Sequence, residues 1–64
     1  MTTANFTSEV FAYIEQTYDK ATLRKVKNKD NSATVDRILG DSLKKEYPVD
    51  KAANKILAML RLNP

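Results

Sequence analysis

Between residues 35 and 60 the apolar side chains return every three or four positions, and the pattern is interrupted once, at Pro48. Val35, Ile38, Leu39, Leu43 and Tyr47, with Ser42 among them, fall on one stripe of an α-helix, and Ala52, Ala53, Ile56, Leu57 and Leu60 form a second stripe beyond the proline. A half-buried strand would alternate with a period of two, and no segment does so beside a hairpin signal such as Asn-Gly. Asn31 or Ser32 stands where it can cap the first of these two helices. Pro48 disfavours helical geometry at Tyr47 and removes a backbone donor, and Asp50 can cap the helix that follows. Two helices joined by so few residues pack as neighbours, which predicts a C-terminal helical hairpin. Gly40 interrupts the first of them at a cost of about 1 kcal/mol relative to Ala, which points to close approach of another helix there or to simple tolerance, the first being favoured.

Nearer the N-terminus, Val10, Phe11, Ile14, Tyr18 and Ala21 make a third stripe with Tyr13 at its edge. Thr7 or Ser8 can cap its first turn, and Glu9 suits the positive end of the helix dipole. Beyond Ala21 the row drifts. Leu23 and Val26 continue it on a rotated face, so the helix bends near residues 19 to 22 or restarts there. This segment must cover the groove that the hairpin leaves. The expectation is an all-α protein: a compact three- or four-helix bundle with a C-terminal helical hairpin. Residues 1–64 read as a single small domain, of which residues 1–6 need not be ordered.

A domain of this length buries only about 60% of the surface that its unfolded chain exposes, so its stability is marginal. Small domains often add disulfides or a structural metal. This one has no Cys and no His, which removes the thiolate and imidazole ligands of zinc, iron–sulfur and haem sites. An oxygen-only metal site would need clustered carboxylates, and the nearest pair, Asp36 and Asp41, does not make a calcium loop. A single glycine, Gly40, excludes a glycine-rich phosphate cradle. Ser8, Ser32 and Ser42 have no histidine to activate them. No catalytic, cofactor or metal residue is therefore expected, and the protein is not expected to be an enzyme. The longest apolar run, Ile56 to Leu60, is far short of the roughly 20 residues that a membrane span needs. Residues 1–5 lack the basic and apolar regions of a secretory signal, and with the absence of cysteine this leads to a cytoplasmic expectation.

The net charge of +3 is unevenly placed. Lys20, Arg24, Lys25, Lys27 and Lys29 put five cations in ten residues without an acid, while the other 54 residues hold six cations against eight acids. Such a run is either a solvated helix face or the footprint of an anionic partner. On a helix Lys20, Arg24 and Lys27 share one face, and Lys25 and Lys29 make an adjacent row, so one edge could follow a phosphate backbone without reading sequence. A DNA-reading helix-turn-helix with its turn at Gly40 does not fit. It would put Asp36 at a packed position and Pro48 inside the recognition helix. Insertion into a membrane surface would rest on Leu23 and Val26 alone, with Glu9, Glu15 and Asp19 diluting the charge, and is not expected.

Phe6, Phe11, Tyr13, Tyr18, Tyr47, Met59 and Leu62 are too many large apolar groups for one small bundle to hide centrally. Met59 and Leu62 fall off the stripe of the last helix, and with Tyr13 they form a candidate apolar edge for a larger protein or for a second copy of the chain. The expected function is thus a non-enzymatic adaptor, inhibitor or regulator, with Lys20, Arg24, Lys25, Lys27 and Lys29 steering the encounter and Tyr13, Met59 and Leu62 anchoring it. The alternative is direct nucleic-acid binding through the Lys20–Lys29 run. The order of an amphipathic helix, the lysine-rich stretch from Leu23 to Lys29 and a helical hairpin resembles the bacteriocin immunity proteins in generic features. No diagnostic motif accompanies that likeness, and no residue role is carried over from it.

Overall fold

A computed structural model of the protein describes residues 3–62, which form four α-helices: α1 (Thr3–Thr17), α2 (Lys20–Val26), α3 (Ser32–Lys44) and α4 (Val49–Met59). A single 3₁₀ turn, Lys29–Asn31, leads into α3. The fold is an all-α bundle that ends in the α3–α4 hairpin, and α1 lies across both hairpin helices, most extensively on α4.

Helix α1 starts at Thr3, four residues before the expected cap, because Phe6 extends the Val10–Ile14 row by one more step of four. Phe6, Val10 and Ile14 are all buried, so residues 3–6 belong to the folded bundle; Met1 and Thr2 lie outside the described residues. Ser8 is exposed in mid-helix and caps nothing. Phe11, Tyr13 and Tyr18 flank the row and pack half-buried against the core, and the Tyr18 hydroxyl donates to Asn54 Oδ1 at 3.3 Å.

The drift in the apolar row is a true restart. Asp19 takes extended backbone angles and its carboxylate accepts from Thr22 N–H at 2.7 Å, so one residue closes α1 and caps α2. The restart rotates the next face, which leaves Ala21 exposed instead of on the stripe, while Val26 enters the core and Leu23 is half-buried. The connection to α3 is pinned by side chains: Asn28 Oδ1 accepts from Asp30 N–H, Asn31 Nδ2 donates to the Lys25 carbonyl at 2.8 Å, and Ser32 Oγ donates to the Lys29 carbonyl. Asn31 and Ser32 thus serve the turn behind them. Asn31 is the residue before α3 but makes no side-chain capping bond.

Both hairpin helices end in the same way. After α3, Tyr47 N–H donates to the Ser42 carbonyl and Glu46 N–H to the Leu43 carbonyl; after α4, Leu62 N–H donates to the Leu57 carbonyl and Arg61 N–H to the Ala58 carbonyl. This is the Schellman closure, which requires a left-handed residue just past the helix. Glu46 (φ 59°) and Arg61 (φ 56°) occupy those positions, where glycine is the usual choice. The first closure stops α3 at Lys44, so Tyr47 sits in the turn and not on the helix. Pro48, not Asp50, precedes the first turn of α4, and Asp50 lies inside that turn, where its charge suits the dipole.

The core comprises Phe6, Val10, Ile14, Val26, Val35, Ile38, Leu39, Ala52, Ala53, Ile56 and Leu57, and buried Ser42 sits among them. Gly40 is not a point of close approach: it is exposed, and a Cβ there would meet nothing within 4 Å.

Candidate functional site

The basic run becomes a surface because α2 is short and its N-terminal restart turns one face outward. Lys20, Arg24 and Lys27 lie at spacings of four and three along that face, and the 3₁₀ turn brings Lys29 beside them. Together with Leu23, Asn28 and Glu15 of α1, these four cations line an open groove of about 620 Å³. All four are exposed. The one ion pair among the described residues joins Lys45 to Asp41 at 3.2 Å, so the groove cations are held by no carboxylate at bonding distance. Lys27 Nζ stands 5.8 Å from the Phe11 ring centroid, a loose cation–π contact that leaves the ammonium in water.

Lys25 is exposed but does not line the groove. Its carbonyl is tied to Asn31, and its charge bears on Asp19. The Asp19 carboxyl is held below the ordinary carboxylate range, first by the Thr22 backbone hydrogen bond, then by the Thr22 side chain, with Lys25 contributing less. The five cations of the run therefore divide into four that share a groove and one that faces the α1–α2 break.

The three residues of the expected apolar edge differ in exposure. Leu62 follows the left-handed residue of the second closure and folds back half-buried against the core, and Tyr13 is likewise half-buried there. Met59 alone projects, 55% exposed, beside a hollow lined by Arg37, Ile38, Asp41 and Lys55. Neither Tyr13 nor Leu62 lines that hollow.

A second cationic cluster, which spacing alone does not reveal, surrounds Tyr47. The Tyr47 ring, in the α3–α4 turn, has Lys51 Nζ 4.1 Å, Lys55 Nζ 5.3 Å and Lys45 Nζ 5.9 Å from its centroid. The i, i+4 spacing of Lys51 and Lys55 was visible, but only the turn at Glu46 brings Lys45 and the ring to them. Asp41 beside Lys45 raises the pKa of that ammonium through a hydrogen bond and its charge.

Among the described residues no three His, Cys, Asp or Glu side chains come together as a metal site would require, and no helix is long and apolar enough to cross a membrane. Comparison of the chain with family models, curated proteins and solved structures found no match.

Proposed function

We propose that this is a non-enzymatic interaction protein that binds a larger anionic macromolecule through the α2 groove, and that the partner best suited to the groove is the phosphate backbone of nucleic acid. The supporting observation is that Lys20, Arg24, Lys27 and Lys29 line one open groove with a single acid, Glu15, among its walls. Cations that hold no ion pair are free to exchange their counterions for phosphates, and release of those counterions drives association. Leu23 supplies an apolar contact, and of the two groove side chains able to read a base edge, Arg24 and Asn28, the second already accepts from Asp30 N–H through its Oδ1, so phosphate contacts dominate and binding is without strong sequence preference. The site of action is the cytoplasm.

The projecting Met59 favours a second reading, in which an acidic protein surface or a second copy of the chain takes the place of nucleic acid and Met59 is the apolar anchor. In that role the protein is an adaptor, inhibitor or regulator.

The test is fluorescence anisotropy of labelled duplex and single-stranded DNA at about 50 and 200 mM salt. Four phosphate contacts give a slope of log K against log[salt] near −3.6, a loss of roughly 10² in affinity between those two concentrations. The double reversal R24E/K27E is expected to abolish the complex at both. Absence of a complex with wild-type protein at the lower salt overturns the nucleic-acid reading and leaves the protein partner.

A further inference from the structure

Tyr47 and its lysines have no place in the groove. Lys51 and Lys55 come from successive turns of α4 and Lys45 from the end of α3, and all three ammonium groups stand within 5.9 Å of one ring centroid. No two of them stand more than about 11 Å apart, close to one Debye length at 0.1 M salt, so a single anion bound among them meets the field of more than one cation. Asp41 neutralises Lys45 and reaches neither of the others at bonding distance. The ring holds Lys51 at 4.1 Å over one face, a close cation–π contact. Neither Lys51 nor Lys55 has a carboxylate at bonding distance among the described residues.

Lys29 precedes the first residue of α3 and Lys45 follows its last, so the two cationic surfaces stand at opposite ends of α3. A 13-residue helix is about 20 Å long. The Cα frame is 27 Å in its longest dimension, less than the roughly 34 Å of one duplex turn. A polymer of regularly spaced phosphates is long enough to reach both ends, which a compact anion is not. We infer that Tyr47, Lys45, Lys51 and Lys55 form a second phosphate-contacting site for the same nucleic acid. The inference rests on the nucleic-acid reading of the α2 groove and extends it to a surface formed by the α3–α4 turn.

The test measures duplex affinity over about 50–300 mM salt for the wild-type protein and three double variants: K51Q/K55Q, R24Q/K27Q, and R37Q/R61Q, which removes the same net charge from residues that neither stand over the Tyr47 ring nor line the groove. Each lost phosphate contact reduces the salt slope by about 0.9, so K51Q/K55Q and R24Q/K27Q are each expected to flatten it by about 1.8, and R37Q/R61Q by less than about 0.5. All these side chains are exposed, and circular dichroism checks that each variant keeps its helices. A wild-type slope on K51Q/K55Q, or an equal flattening by R37Q/R61Q, overturns the second site while the groove stands. If R24Q/K27Q keeps the wild-type slope and K51Q/K55Q flattens it, the groove reading falls and the Tyr47 site remains. No duplex binding by wild-type protein at low salt overturns both.

Discussion

Glu46→Gly is expected to stabilise the protein even though it deletes a side chain and adds backbone freedom. Glu46 holds φ 59° so that its N–H and that of Tyr47 can close the end of α3. A residue with a Cβ pays about 1–2 kcal/mol for that conformation, and glycine pays nothing there. Against this, glycine loses about 0.5–1 kcal/mol more backbone entropy on folding. The substitution also removes an acid from the negative end of the α3 dipole, worth about 0.3 kcal/mol at an exposed position. The balance is a gain of about 1 kcal/mol, which for a domain of this size raises the Tm by roughly 4–8 °C. Arg61→Gly provides the internal comparison: φ is 56° and the closure is the same, but the charge is opposite. There the substitution removes a favourable cation from the end of α4, so the gain is smaller, about half as large. Thermal unfolding followed by circular dichroism at 222 nm reads both. A Tm for E46G at or below wild type refutes the account of the left-handed positions, and a larger gain for R61G than for E46G refutes the dipole contribution.

Gly40→Ala is expected to add about 1 kcal/mol in the same assay, since the site is exposed mid-helix and a Cβ meets nothing within 4 Å; destabilisation would show that the helices approach there after all. The Ser42 hydroxyl is fully buried and has no hydrogen-bond partner among the described residues, so Ser42→Ala is expected to raise the urea midpoint by an amount equivalent to about 1 kcal/mol, and a lowered midpoint refutes the reading. Because the Asp19 carboxyl is depressed in the folded state, its cap on α2 is complete above the unfolded carboxylate range and is lost as pH falls through the depressed value. The Thr22 amide resonance is expected to shift in that acid window in wild type and to stay flat in Asp19→Asn; a flat wild-type titration removes the cap.

Local spacing was enough to reveal three of the four core stripes and the hairpin, because apolar residues three or four apart share a helix face wherever that helix packs. It also showed that α1 could not continue straight through residues 19 to 22. Spacing could not show whether the chain bends or restarts there, since that depends on whether the Asp19 carboxylate finds Thr22 N–H. Nor could it reveal the length of α1. Phe6 looked like a surplus aromatic until the space between α1 and the hairpin gave it a place in the core.

The candidate site divides along the same line. Five cations in ten residues are a property of the sequence, and their convergence as a set of four depends on the turn that carries Lys29 beside α2. Leu62 lies off the α4 stripe, which by spacing alone places it at an exposed edge, but the left-handed turn at Arg61 reverses the chain and packs it against the core. The same closure at Glu46 gathers Lys45, Tyr47, Lys51 and Lys55. By itself the sequence determined helix faces and charge content, because both follow from neighbours within one or two turns. Only the tertiary structure decided where those faces ended and which charges met, because both depend on chain reversals made by hydrogen bonds at two residues with no glycine to announce them.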